Sequence, residues 1–222
     1  MDDYQAFTDR RHAGRVLASC LTKYAGRDDV IVLALPRGGV PVAYEVASTL
    51  GAPMDVFLVR KLRTPGHREL AMGAIASGGV RVVNEDVVQW YGISESAIDR
   101  IAREEQEELE RRERAYRDDR PAPDLTDKIV VLIDDGLATG STMRAAAQAV
   151  RAHRPARVVI AVPVGAPQTC AELAVSVDEV ICVRMPEPFS AVGQWYVNFE
   201  QTDDTEVREL LQKSTATPQA HH

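Results

Sequence analysis

Cysteine is scarce in this chain. Cys20, Cys170 and Cys182 are the only three in 222 residues. The odd count, with no Cys-x-x-Cys, excludes a disulfide framework and a thiolate zinc site, so buried reduced thiols are expected. The five histidines show no metal-ligand spacing, and His221-His222 reads as the remnant of a purification tag. Positive charge does not dominate either. With 26 Lys and Arg against 33 Asp and Glu, the net charge is −7 and the pI about 5.3, which argues against nucleic acid or an anionic membrane as the main partner. No apolar run reaches membrane-spanning length and no charged-then-apolar leader is visible, so a soluble, cytoplasmic protein is expected. Length and apolar content suit one α/β domain with a sizeable core. Any anion site must therefore be assembled locally, from backbone amides and a few chosen Arg and Lys side chains.

One stretch is organised for that purpose. Residues 129–143 read Ile-Val-Val-Leu-Ile-Asp-Asp-Gly-Leu-Ala-Thr-Gly-Ser-Thr-Met. Five aliphatics in a row, four of them β-branched, fit a strand buried on both faces. Asp134 and Asp135 fall where that strand should end. A small, hydroxylated turn follows, and Met143, Ala146, Ala147 and Val150 then recur at helical spacing. Strand, small-residue turn and helix N-terminus together make an anion cradle, because free amides and the helix dipole both favour a phosphate. Other phosphate loops are excluded in turn. A Walker loop needs a Lys, and none lies between Asp134 and Thr142. The dinucleotide fingerprint needs three spaced glycines, and only Gly136 and Gly140 are available. A Gly-x-Ser-x-Gly elbow is absent. What remains is a paired acid suited to vicinal hydroxyls beside an amide nest suited to one phosphate, which describes a ribose 5-phosphate.

Four of these aliphatics, Asp134-Asp135 and Ala138-Thr139-Gly140-Ser141-Thr142 resemble the phosphoribosyl-pyrophosphate (PRPP) motif of the type I phosphoribosyltransferases, and the whole chain is similar to a predicted, uncharacterised branch of that family. The resemblance implies that Asp134 and Asp135 bind the ribose hydroxyls while Ala138, Thr139, Gly140, Ser141 and Thr142 hold the 5-phosphate. A second aliphatic run, residues 30–35, ends in Pro36-Arg37-Gly38-Gly39. Two glycines between strand and helix could be turn chemistry alone. Beside the first motif, the segment resembles the family's pyrophosphate loop, with Arg37, Gly38 and Gly39 on the leaving group and a non-proline cis peptide at or beside Pro36–Arg37.

Residues 54–59 read as the next strand. Arg60, Lys61, Arg63, His67 and Arg68 then surround a Pro-Gly in an otherwise acidic chain. A solvated loop would explain them. The segment also matches the position of the family's mobile catalytic loop, which closes over PRPP. Residues 71–76 and 80–83 read as short strands, one of them antiparallel to the rest. Residues 92–120 form a long charged helix with Ser94 as N-cap and a thin apolar stripe. At the start of the chain, Thr8 or Asp9 caps a packing helix to about Tyr24. Towards the end, Phe189, Trp195, Tyr196 and Phe199 concentrate the scarce aromatics. They either cap the sheet edge or wall a planar base. The segment's similarity to that of purine-type members makes Phe189, then Trp195, the stacking candidates.

The expected fold is a three-layer α/β/α arrangement on a mainly parallel twisted sheet, order 3-2-1-4-5-6 with strand 3 antiparallel, as in type I phosphoribosyltransferases. A single domain is expected, with a core of about 8–84 and 126–184, a helical insertion at about 85–125 and a hood-like C-terminal segment at about 185–222. Both anion loops then open where the strand order reverses, which is where open α/β sheets bind ligands. The family's reaction is transfer of phosphoribosyl from PRPP to a nucleobase-like nitrogen, purines among the candidates, with release of pyrophosphate. Arg37, Lys61 and Arg63 are candidates for leaving-group stabilisation, and Lys61 also for pyrophosphate binding. Mg²⁺ is expected on PRPP oxygens and water near Asp134 and Asp135, with no firm protein ligand. Ala138 stands where hypoxanthine/guanine-type members carry an Asp proton acceptor. The turn is closer to adenine-type members, which makes Glu69 the matching acceptor, although an ion pair with Arg68 also explains it. The implied partners are PRPP, the acceptor and a second copy of the chain. The alternative is a non-catalytic PRPP- or nucleotide-binding regulator of the same fold.

Overall fold

Two aliphatic strands lie at the centre of the computed structural model, which describes residues 5–118 and 120–216. Strands β1 (Val30–Ala34) and β6 (Ile129–Ile133) are buried at every position and pair in parallel from Val30↔Ile129 to Ala34↔Ile133. With β2 (Met54–Val56), β7 (Arg157–Val164) and β8 (Glu179–Arg184) they form a five-stranded parallel sheet of order β2-β1-β6-β7-β8. This is the expected order without its antiparallel edge strand.

That edge strand belongs to a second sheet. β3 (Val59–Thr64), β4 (His67–Ala76) and β5 (Val80–Val83) form a three-stranded antiparallel sheet of their own. The strand read over 54–59 stops at Val56 because the backbone changes partners. Phe57 N–H still donates to Ala34, but the amide of Leu58 donates to the Ser77 hydroxyl and its carbonyl accepts from Ser77 N–H. The cationic segment is accordingly not an open loop but a hairpin, turned at Pro65-Gly66 with Gly66 at φ 78°. Its alternation is period-two: Leu62 and Thr64 are buried while Lys61 and Arg63 face out.

Helix α1 (Arg10–Ser19) starts at Asp9, whose carboxylate accepts from His12 N–H at 2.7 Å. It ends before Tyr24, which sits in a separate 3₁₀ turn. Helix α2 (Gly39–Leu50) packs beside it on one face of the large sheet. Within the expected helical insertion a separate short helix, α3 (Glu85–Tyr91), precedes α4 (Glu95–Arg117), and Ser94 caps α4 by accepting from Ala97 N–H. Helices α5 (Ser141–Ala152) and α6 (Pro167–Ala174) cover the other face. Alternate strand residues feed the two cores: Val32, Ala34 and Val131 pack with Val42 and Val46 of α2, whereas Ile31, Leu33 and Leu132 pack with Met143 and Ala147 of α5. The C-terminal segment divides. Residues 185–199 run past the loop end of the sheet, where Tyr196 bridges Phe7, while α7 (Asp204–Ala216) returns to α2 and α4 and buries Val207, Leu210 and Leu211. No described helix is long and apolar enough to cross a membrane, and His221-His222 lie outside the described residues.

Candidate active site

The register between Ala34 and Ile133 delivers the two glycine-bearing turns to the same end of the sheet. They are in contact. A Cβ on Gly39 would lie 2.7 Å from the Ile133 carbonyl oxygen and 2.9 Å from Asp134 Cα. One on Gly38 would overlap the Asp135 carboxylate. Only residues without side chains allow the first turn to rest on the acid pair at the end of β6. The Pro36–Arg37 peptide is cis, as the resemblance implied.

The acid pair is enclosed. Asp134 Oδ1 accepts the Asp135 amide at 2.8 Å. Asp135 Oδ2 accepts from Arg10 Nε at 2.8 Å, in an ion pair whose side chains are only 11% and 16% exposed. Arg10 is held in turn by the Glu200 carbonyl at 2.6 Å and by the Phe199 ring beneath its guanidinium at 3.9 Å. The Tyr196 hydroxyl donates to the Asp135 carbonyl at 2.6 Å. Burial first, and the neighbouring Asp135 charge second, push the Asp134 carboxyl well above the usual carboxylate range. Burial raises Asp135 as well, and Arg10 opposes that rise. The pair sets two carboxylates against the single Arg10 guanidinium, and hydroxyl donors or a cation would supply the rest of its complement.

Next along the chain, Leu137 anchors the turn by donating to the Val164 carbonyl at 2.9 Å. Gly140 adopts φ 67° at the N-cap of α5, and no side chain caps this helix. The first amides of an α-helix have no intrahelical acceptor, so here they remain available beside the exposed Ala138, Thr139, Ser141 and Thr142. The Thr139 and Ser141 hydroxyls are 3.4 Å apart. The buried Thr169 braces the turn from below, donating to the Ala138 carbonyl at 2.6 Å and occupying the space against Gly140. We expect Thr169→Val to cost about 1 kcal/mol of stability and to weaken ribose 5-phosphate binding several-fold, as measured by calorimetry. An unchanged affinity would show that the brace has no bearing on the loop.

The remaining candidates divide between neighbouring depressions. Lys61 lines a cavity of about 650 Å³ together with Thr139, Ser141, Arg144 and Asn84. Arg37 lines a smaller recess of about 80 Å³ with Arg60, Arg112 and Thr142. Lys61 and Arg37, expected to share one anion, thus line different depressions. Arg63 is exposed on β3 at an irregularity in the hairpin register. The side chain of Glu69 lies outside the described residues. Phe189 and Trp195 are partly buried against the cluster of Phe7, Ala13, Val164 and Tyr196, an apolar seat that accounts for them as packing. The same segment does reach the site, because Val192 fills the space against Gly136.

The model of the phosphoribosyl transferase domain matches residues 3–193 of this chain. The chain belongs to that family. A relative named "Putative phosphoribosyl transferase Rv0571c", from Mycobacterium tuberculosis, is 49% identical over 208 residues, which are 94% of this chain and 47% of the relative. The domain thus spans about half the length of the curated relatives it matches. Among solved structures, TT1426 from Thermus thermophilus is 41% identical, covers 94% of this chain and 99% of its own, and superposes with a TM-score of 0.84. AQ2163 from Aquifex aeolicus, at 14% identity and TM-score 0.50, shares the fold over 83% of this chain.

Three side chains of this phosphoribosyl transferase domain touch the acid pair or its partner without having been anticipated: Arg10, Tyr196 and Phe199. Arg10 stands in the first turn of a helix that reads from sequence as packing alone, and 125 positions separate it from Asp135. Its one signal was an arginine facing the same way as the apolar stripe. Tyr196 and Phe199 lay within the aromatic cluster, whose ring-by-ring placement depends on the path of the backbone after β8.

Proposed function

We propose that this domain transfers a 5-phosphoribosyl group from PRPP to a ring nitrogen of a nucleobase-like acceptor, purines among the candidates, and releases pyrophosphate. The supporting observation is the contact of Gly38 and Gly39 with Asp134 and Asp135, which brings the two turns and the acid pair to one rim. In this reading the amides and hydroxyls of Ala138–Thr142 hold the 5-phosphate and the acid pair accepts hydrogen bonds from the ribose hydroxyls. Arg37 and the Gly38-Gly39 backbone grip the pyrophosphate. The C1–O bond breaks with its electron pair going to pyrophosphate, a new C1–N bond forms, and the acceptor nitrogen gives up its proton to solvent water or to the departing pyrophosphate. With both ends of PRPP fixed, the sugar carbon between them is positioned for attack.

Among the described residues no group of three or more His, Cys, Asp or Glu could hold a metal ion. Two adjacent enclosed carboxylates, both raised by burial, nevertheless suit a hydrated cation carried on PRPP. Magnesium bound in that way would neutralise the pyrophosphate oxygens, with Asp134 and Asp135 reaching it through water or sugar hydroxyls.

The deciding experiment is pyrophosphate release from Mg²⁺–PRPP with a panel of bases. Release with a defined base supports the transferase. Tight PRPP binding without release supports a regulatory protein instead. Base-independent cleavage of preformed nucleotides points to a hydrolase. Lys61, on the hairpin facing the 5-phosphate turn across the large cavity, should act on turnover. We expect Lys61→Ala to lower kcat by about tenfold, equivalent to roughly 1.4 kcal/mol, with a smaller change in PRPP affinity. No change in either quantity would remove the hairpin from the mechanism.

A further inference from the structure

Helix α4 carries two arginines to the turn that the proposed function assigns to pyrophosphate. Arg112 lines the recess of about 80 Å³ with Arg37, Arg60 and Thr142. Arg112 and Arg37 also line an adjoining recess of about 210 Å³, together with Arg111, Tyr116 and Asp204. The two recesses flank Pro36-Arg37 and extend from the first turn of α5 to α4. Lys61, the other cation expected beside Arg37, lines neither of them.

The charges here are arranged around an excess of guanidinium. Glu108 receives Arg111 through both carboxylate oxygens, at 2.7 and 2.9 Å, and Arg112 Nε at 2.9 Å. Its pKa is held down to about 2 by these two arginines. Glu105 takes Arg60. Asp204 accepts from the Tyr116 hydroxyl at 2.6 Å but lies 3.7 Å from Arg37 Nη1, with its side chain 62% exposed. That separation is too long for a direct hydrogen bond, and an exposed pair of this kind contributes little. Asp204 therefore puts a displaceable carboxylate where the surrounding groups accept an anion. Arg37, Arg60, Arg111 and Arg112 outnumber Glu105, Glu108 and Asp204 by one positive charge.

We propose that Arg112, supported by Arg111, forms the far side of the leaving-group subsite opposite Arg37, so that pyrophosphate bridges α4 and the Gly38-Gly39 turn. This rests on the phosphoribosyltransferase reading and deepens it. The guanidinium is suited to the task, since it keeps its charge at all working pH values and bonds two phosphate oxygens at once. Asp204 acts as a competing anion that pyrophosphate must displace.

The test is calorimetry on the full chain with magnesium pyrophosphate, PRPP and ribose 5-phosphate as separate probes. Arg112→Gln should weaken magnesium pyrophosphate by about tenfold or more, as expected for a lost charged hydrogen bond, and leave ribose 5-phosphate binding unchanged. Arg112→Lys should recover part of the loss. Asp204→Asn should tighten pyrophosphate, whereas Arg100→Gln, further along the exposed face of α4, should change nothing. If Arg112→Gln binds magnesium pyrophosphate as the wild type does, the α4 subsite is overturned and the transferase reading survives. If the wild type binds none of the three probes, both readings fall.

Discussion

Gly39→Ala should abolish PRPP binding and transfer together, with a loss of at least about a hundredfold in kcat/KM, equivalent to roughly 2.7 kcal/mol. The cause is backbone contact rather than any missing functional group. An alanine methyl would stand 2.7 Å from the Ile133 carbonyl oxygen and 2.9 Å from Asp134 Cα, neither of which can swing away. Ile133 is fully buried and locked in register opposite Ala34. The turn after β1 would have to lift off the end of β6, which separates the amides and Arg37 from the acid pair. Overpacking of this kind costs about 1–3 kcal/mol, and each kcal/mol lowers Tm by roughly 2–4 °C in a chain of this size. Both effects are read by thermal melts and by steady-state kinetics with saturating magnesium. At Gly38 the obstacle is the Asp135 carboxylate, which can move only by leaving Arg10. Gly38→Ala should therefore lose ligand affinity with a smaller drop in Tm. A Gly39→Ala protein with kcat/KM within about threefold of wild type, a difference of well under 1 kcal/mol, would mean that the contact between the two turns is dispensable.

The parts of the molecule that were legible in the sequence are those whose signals are local. The runs 30–35 and 129–133 are aliphatic without interruption, and full burial on both faces leaves no other residue type possible. Asp134-Asp135 and the hydroxylated turn follow directly from a strand end and a helix start. Two strands of the second sheet were legible over 71–76 and 80–83, but β3 and the sheet's separation from the first were not, because the cations of the hairpin region masked a period-two pattern carried by only Leu62 and Thr64. Moreover, the chain leaves the first sheet through a side-chain bond from Leu58 N–H to Ser77, 19 positions away. Arg10 escaped for the same physical reason. Its role is set by Asp135, Glu200 and Phe199, residues far along the chain that no window around α1 contains. Among the aromatics, composition marked the segment that reaches the acid pair and Arg10 but not which of its rings does so. Tyr196 and Phe199 contact Asp135 and Arg10, while Phe189 and Trp195 turn into the apolar cluster.

Asp134→Asn should stabilise the ligand-free protein at neutral pH while impairing its function. In the wild type, burial and the adjacent Asp135 charge raise the Asp134 carboxyl well above its unfolded value. Between the ordinary carboxylate range and that raised value, the folded chain retains a proton that the unfolded chain has lost. Stability therefore falls as pH rises through this window, and the penalty is fully present above it. Asparagine has the same shape and keeps the oxygen that accepts the Asp135 amide at 2.8 Å, but it carries no charge to desolvate. Removing an uncompensated buried charge is worth on the order of 1–2 kcal/mol, or a Tm increase of a few degrees. The gain should shrink towards about pH 4, where the wild-type carboxyl is itself protonated. On the proposed reading, ribose 5-phosphate should bind about tenfold more weakly, because a carboxyl partner for the sugar hydroxyls is replaced by an amide. Such opposition between stability and function is expected where a site keeps like charges together for a ligand to complement. Melting curves of both proteins from about pH 4, the ordinary carboxylate range, upward to about pH 8, with and without magnesium–PRPP, provide the measurement. If the variant melts at or below the wild-type temperature at the alkaline end of that range, the acid pair is not a source of strain in the free protein.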